Sequence, residues 1–139
     1  MDKFLALSAD RRRDACIEMY QAMQLDAASV EKDFWVCWTL RELFTLPEIG
    51  EYLTFKGGTS LSKAWGLIAR LSEDIDLVVD KAALGFAGDR APDQAPSNKK
   101  RRARLEALMV AARDWVQQRL QPALDARLEL AGGPHRLAP

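Results

Sequence analysis

Histidine and cysteine are nearly absent: the 139 residues hold one His and two Cys. Cys16 and Cys37 form no CxxC pair and no ligand cluster with His135, which argues against both a zinc site and a disulfide framework. Each reads instead as a small buried hydrophobe within a helical segment. Net charge is missing too. The 20 Lys and Arg balance the 20 Asp and Glu, so there is no global attraction to nucleic acid and any RNA contact must come from a local patch. No apolar run reaches membrane-spanning length, and the N-terminus lacks the charged-then-apolar order of a secretion signal. A cytoplasmic protein with no membrane partner is therefore expected. No internal repeat or long low-complexity tract is present. With 48% hydrophobic residues over 139 positions, the chain can bury one core, and a single α/β domain is expected over 1–139.

The most informative stretch is Phe55-Lys56-Gly57-Gly58-Thr59-Ser60-Leu61-Ser62-Lys63, followed shortly by Arg70-Leu71-Ser72-Glu73-Asp74-Ile75-Asp76-Leu77. Glycines let a backbone approach a ligand closely, while Thr59, Ser60 and Ser62 offer hydroxyls and open a helix running towards Trp65. A helix N-terminus with free N–H groups favours phosphate. Ser62 precedes Lys63 where the Walker pattern needs glycine, so this is not a P-loop. Asp74 and Asp76 stand at alternate positions of an apolar run through Leu77, Val78 and Val79, so both carboxylates are expected on one face of a strand. Two such hard anions suit Mg²⁺, which takes oxygen ligands and is held by one or two carboxylates plus substrate phosphates. A Gly-Gly turn alone is commonly only a turn, and an exposed Asp pair is commonly only solvated. The order of strand, Gly-Gly-Thr-Ser, helix and Asp-Ile-Asp strand is far more specific, and it points to nucleotidyl transfer.

Around this core the pattern is helical. Asp10 caps a helix through Gln24, with Ala15, Ile17, Met19, Tyr20 and Met23 at apolar positions. A second helix runs from Ala28 to Phe44, capped by Ser29 or Asp26, and Phe34, Trp35, Trp38, Leu40, Leu43 and Phe44 give it an aromatic inner face. Glu31, Lys32 and Asp33 read as a solvated first turn with acids near the helix's positive end. Pro47 and Gly50 mark a loop, and Tyr52 through Phe55 is the first strand. The organisation expected is a helical part over 1–50, a catalytic core over 51–84, a mobile loop over 85–97, and a basic helix and tail over 98–139. Ser97 caps that last helix, whose apolar positions are Leu105, Leu108, Met109, Ala112, Trp115, Val116 and Leu120. Lys99, Lys100, Arg101, Arg102 and Arg104 crowd the end where the helix dipole disfavours cations. They read as a solvated face or as contacts to polyphosphate or an RNA backbone.

The sequence resembles the AbiEii/AbiGii toxin family of nucleotidyltransferases, within the DNA polymerase β-like superfamily of bacterial abortive-infection and toxin–antitoxin systems. The residues that carry the resemblance run from Lys56 to Ala64 and from Arg70 to Leu77. Val30 to Val36 and Leu40 to Phe44 match upstream, and Lys99 to Arg102 with Leu120 to Leu124 match more loosely downstream. The resemblance implies a nucleotidyltransferase-like short mixed sheet flanked by helices, with Lys32 or Asp33 helping to organise a nucleotide pocket. It also implies a later strand with a third acid, a downstream lysine and a helical C-terminal region, so the chain reads as a family core with the C-terminal part of the fold missing. Glu129, within Ala126-Arg127-Leu128-Glu129-Leu130, imitates a third acid on a strand or is simply a solvent-facing strand residue. The tail Gly132 to Pro139 carries no family signature.

The expected activity is Mg²⁺-dependent transfer of a nucleoside monophosphate from an NTP to a hydroxyl acceptor. The resemblance implies the 3′ end of a tRNA as that acceptor and a cognate antitoxin as partner. Asp74 and Asp76 are the metal ligands and, with Lys56, the catalytic residues; Gly57, Gly58, Thr59, Ser60 and Lys63 bind nucleotide. The alternative is a truncated, non-catalytic remnant that binds nucleotide or antitoxin. A DxD glycosyltransferase needs a larger sugar-nucleotide fold than this length holds.

Overall fold

The computed structural model of the chain describes residues 1–23, 27–64 and 74–131. Gln24, Asp26, Trp65, Arg70 to Glu73, the tail from Gly132 with His135, and the side chains of Tyr20 and Met23 lie outside the described residues. Helices come first: α1 (Asp2–Leu5), α2 (Ala9–Met23) and α3 (Ala27–Thr45). The aromatic face expected of α3 is real in its first half. Phe4 of α1 lies 4.3 Å from Phe34, which lies 5.5 Å from Trp35, which in turn lies 5.6 Å from Trp38 between ring centroids. Trp38 is fully buried. Phe44, assigned to the same face, is instead exposed, because Leu43 and Leu46 take the inward positions where the helix ends.

The chain then turns back tightly. A Cβ added to Gly50 would lie 2.6 Å from the Phe44 carbonyl oxygen, so only glycine allows the backbone this close to the end of α3. Tyr52, expected in the first strand, belongs to a 3₁₀ turn (Gly50–Tyr52), and β1 is Leu53–Lys56. α4 (Gly57–Lys63) follows at once, and β2 (Asp76–Val79) returns antiparallel to β1. The register sets Leu53 opposite Val79, Phe55 opposite Leu77 and Lys56 opposite Asp76. Of the mixed sheet expected, the described residues hold this one antiparallel pair.

An isolated pair of strands is marginal in water. Here the inner face is held by a core of Leu43, Leu46, Ile49, Leu53, Trp115 and Leu120, against which Ile75, Leu77 and Val79 pack. Full burial of one such aliphatic side chain contributes about 1.5–3 kcal/mol, so this cluster rather than the ladder fixes the acid-bearing strand. Exposure alternates from Asp74 to Val79, with the acids on the outward parity and Ile75, Leu77 and Val79 on the inward one.

The segment expected as a mobile loop is not featureless. It makes 3₁₀ turns at Gly88–Arg90 and Pro92–Gln94, buries Ala91 and Pro92, and is pinned to the next helix where Arg104 Nη1 donates to the Ala91 carbonyl at 2.8 Å. Ser97 caps α5 (Asn98–Trp115) as expected, accepting from the Lys100 amide. Leu105, Met109 and Val116, expected inside, are exposed, and burial on this part of the chain concentrates at Trp115 and Leu120. A π-helical turn (Val116–Leu120) leads into α6 (Gln121–Leu130). Pro122 lacks the N–H a continuous helix would use, and a wider turn just before it accommodates that loss.

Residues Ala126 to Leu130 are therefore helix, not strand, and Glu129 is an exposed helical residue. α6 is tied back to α3 by charge. Glu42, 7% exposed, accepts from Arg41 Nε at 3.0 Å and from Arg127 Nη1 at 3.3 Å. Arg41 continues to Asp2 of α1 at 2.9 Å, and these carboxylates hold its guanidinium protonated above even the usual arginine range. Among the described residues no helix is long and apolar enough to cross a membrane.

Candidate active site

β1 delivers the chain directly into the Gly-Gly turn. Lys56 closes the strand in an extended conformation, and Gly57 then takes φ +78°, a left-handed value that a side chain resists. A second constraint falls on the same atom: a Cβ on Gly57 would collide with Oδ2 and Cγ of Asp76. The Asp76 carboxylate thus lies directly over the turn. Gly58 faces open space, with nothing near the position a Cβ would take.

One residue further on, Thr59 is 1% exposed, and its hydroxyl donates to the Asp74 carbonyl oxygen at 2.6 Å. The two motifs, separated in sequence, are in this way tied at both acids: Asp76 by contact and Asp74 through its backbone. Asp74 lies just before β2 rather than within it, but it shares the outward parity of Asp76 and is exposed. Lys56, exposed and opposite Asp76 in register, stands on the same side of the sheet.

Thr59 and Ser60 are buried, whereas Gly57 and Gly58 are exposed. The Thr59 hydroxyl braces the acid-bearing segment, because a polar group taken out of water needs a partner inside. Lys63, at the far end of α4, forms an ion pair with Asp33 of α3. Its neighbour Cys37 feels both charges: burial raises the thiol pKa, Lys63 partly offsets that, and Asp33 adds to it. Lys99, Lys100 and Arg101 are exposed at the start of α5, and Arg102 pairs with Glu106 one turn on at 3.1 Å. α5 packs on the Pro92–Gln94 turn.

A family model described as nucleotidyl transferase AbiEii toxin, type IV TA system, matches residues 38–134. The chain belongs to the AbiEii nucleotidyltransferase toxin family. No curated protein and no solved structure matches it. The AbiEii match contains the whole Gly-Gly turn, both acids and the basic start of α5, whereas Asp33 precedes it.

The acid pair of this AbiEii chain fits a hard divalent cation: both donors are exposed carboxylates, with oxygen as the only donor element. Among the described residues no third Asp, Glu, His or Cys completes a group of metal-binding size. A pair is nevertheless what Mg²⁺ uses when phosphate oxygens and water supply the remaining ligands. Asp33, in the first turns of α3, has Lys63 as its partner. No spacing signal predicts that pair, because its members stand 30 residues apart on different helices.

Proposed function

We propose that this AbiEii-family chain transfers a nucleoside monophosphate from an NTP to a hydroxyl acceptor, the 3′ end of a tRNA. The observation that carries the reading is the double tie between the motifs, Gly57 under the Asp76 carboxylate and Thr59 on the Asp74 carbonyl. It sets an open glycine backbone beside two exposed acids, the combination a metal-bound triphosphate needs.

In this mechanism the triphosphate lies along Gly57 and Gly58, where the lack of side chains permits close approach. Lys56, on the same side of the sheet as Asp76, and Lys63 neutralise phosphate charge. Thr59 and Ser60 contribute from below by fixing the turn. Asp74 and Asp76 would hold Mg²⁺, which would supply charge neutralisation at the α-phosphate and at the departing pyrophosphate. The acceptor hydroxyl oxygen forms the new bond to the α-phosphorus as the bond to the bridging oxygen breaks, pyrophosphate leaves, and the hydroxyl proton passes to solvent. Lys99, Lys100 and Arg101 steer the RNA backbone. The family's type IV toxin–antitoxin context supplies a cognate antitoxin as partner.

The test in cells is the sequence of tRNA 3′ ends after expression of wild type or of Asp74→Ala/Asp76→Ala. Added nucleotides with wild type alone are expected. Unaltered ends in both cultures, with folded protein present, would remove tRNA as the acceptor.

A further inference from the structure

We propose that Asp33 is a positioning residue for the phosphate turn: its carboxylate fixes where the Lys63 ammonium sits and so sets the far end of α4. The inference rests on the nucleotide-transfer reading and adds to it a residue outside the segment matched by the family. α4 is anchored near its start by Gly57 against Asp76 and by Thr59 on the Asp74 carbonyl. The Lys63–Asp33 pair anchors its end, and both side chains are largely withdrawn from solvent, at 21% and 26% exposed.

Three features make this more than a surface ion pair. First, partial burial reduces the screening that makes exposed pairs weak. Second, Asp33 stands in the wall of an apolar groove with Phe4, Val30, Phe34 and Cys37, where low polarity strengthens attraction between opposite charges. Third, Lys63 stands one helical turn after Thr59 on the same short helix, so an anchor on its ammonium acts on the helix that carries the Gly-Gly turn. Left alone, a lysine on a short helix samples many rotamers in water. Held by Asp33, it loses that freedom before a ligand arrives, and binding is then less costly.

The experiment is calorimetric titration of folded protein with the Mg²⁺ complexes of ATP, GTP, CTP and UTP. Asp33→Asn and Lys63→Met are each expected to weaken the accepted nucleotide about tenfold, the scale of one charge-assisted contact. Asp33→Glu keeps most of the affinity. The exchange Asp33→Lys/Lys63→Asp separates positioning from mere bracing: it should recover the unfolding midpoint lost in Asp33→Asn while leaving nucleotide binding weak. Recovery of both would overturn the proposal, since a brace is indifferent to which helix bears the cation. Wild-type affinity in Asp33→Asn would also overturn it while leaving the transfer reading intact. Failure of wild type to bind any of the four would remove the transfer reading itself and the role that depends on it. A readout independent of nucleotide is the alkylation rate of Cys37, resolved from Cys16 by peptide mass. Asp33→Asn should speed it and Lys63→Met should slow it; identical rates in all three proteins would place neither charge beside Cys37 and overturn the proposal.

Discussion

The Asp76 carboxylate rests on the Cα of Gly57, filling the space that any side chain there would need. This one relationship makes the glycine a requirement of the acid, and the acid a neighbour of any ligand on the turn. It also divides the glycine pair, because Gly58 has open space where Gly57 has none.

Substitution should expose that division. Gly57→Ala must displace Asp76 and strain a left-handed backbone, destabilising the protein by about 1–3 kcal/mol. Gly58→Ala, in a helical turn with room for a methyl group, should be neutral or stabilise by about 0.4–1 kcal/mol, yet it should weaken nucleotide binding by blocking close approach. Urea unfolding beside nucleotide titration checks both. Equal stability loss in the two variants would contradict the contact at Gly57.

Thr59 predicts a hydroxyl-specific effect. Thr59→Val preserves shape and removes the donor to the Asp74 carbonyl, a loss of about 1 kcal/mol in unfolding free energy. Thr59→Ser keeps the donor and should retain activity better than Thr59→Val despite its smaller volume. The reverse order would mean that packing, rather than the hydrogen bond, holds the acids to the turn.

Glu42 predicts a stability effect remote from the site. Glu42→Ala leaves Arg41 and Arg127 without their shared carboxylate. Their side chains are 35% and 40% exposed, so water replaces part of the interaction and the expected cost is about 1–3 kcal/mol. Removal of α6's anchor in this way should lower the thermal midpoint. An unchanged midpoint would show that apolar packing alone holds α6.

The thiols give a pH dependence. Burial raises Cys16, with Glu31 adding to the effect, and burial likewise raises Cys37. A folded pKa above the unfolded one means stability is intact at neutral pH and is lost as pH climbs through the unfolded and then the folded value. Wild type should therefore lose more unfolding free energy in the alkaline range than Cys16→Ala/Cys37→Ala does. Parallel pH profiles would contradict the burial of these thiols.

Much of the site was legible because its signals are local. Gly-Gly after a short strand, and acids alternating with Ile75 and Leu77, encode a turn and an outward parity whatever the surroundings. Ser97 likewise marked the start of α5 through its own cap. What escaped was set by distant parts of the chain. Lys63 meets Asp33, and Glu42 meets Arg127, only once helices far apart in sequence have packed. The Thr59 hydroxyl meets the Asp74 carbonyl only once the segment before β2 has folded against α4. Residues Ala126 to Leu130 show how a short window misleads: five residues alternating polar and apolar fit a strand and also fit a helix face. Continuity from α5 through the π turn decided it.

The most direct test of the central claim is label transfer in vitro from each of the four NTPs to total bacterial tRNA, with Mg²⁺ or EDTA, by wild type and by Asp74→Ala/Asp76→Ala. Incorporation by wild type in Mg²⁺ alone, abolished in the double variant, is the predicted result. Incorporation that survives loss of both acids, or none at all from folded wild type, would contradict a catalytic site built from the Gly57–Asp76 and Thr59–Asp74 ties.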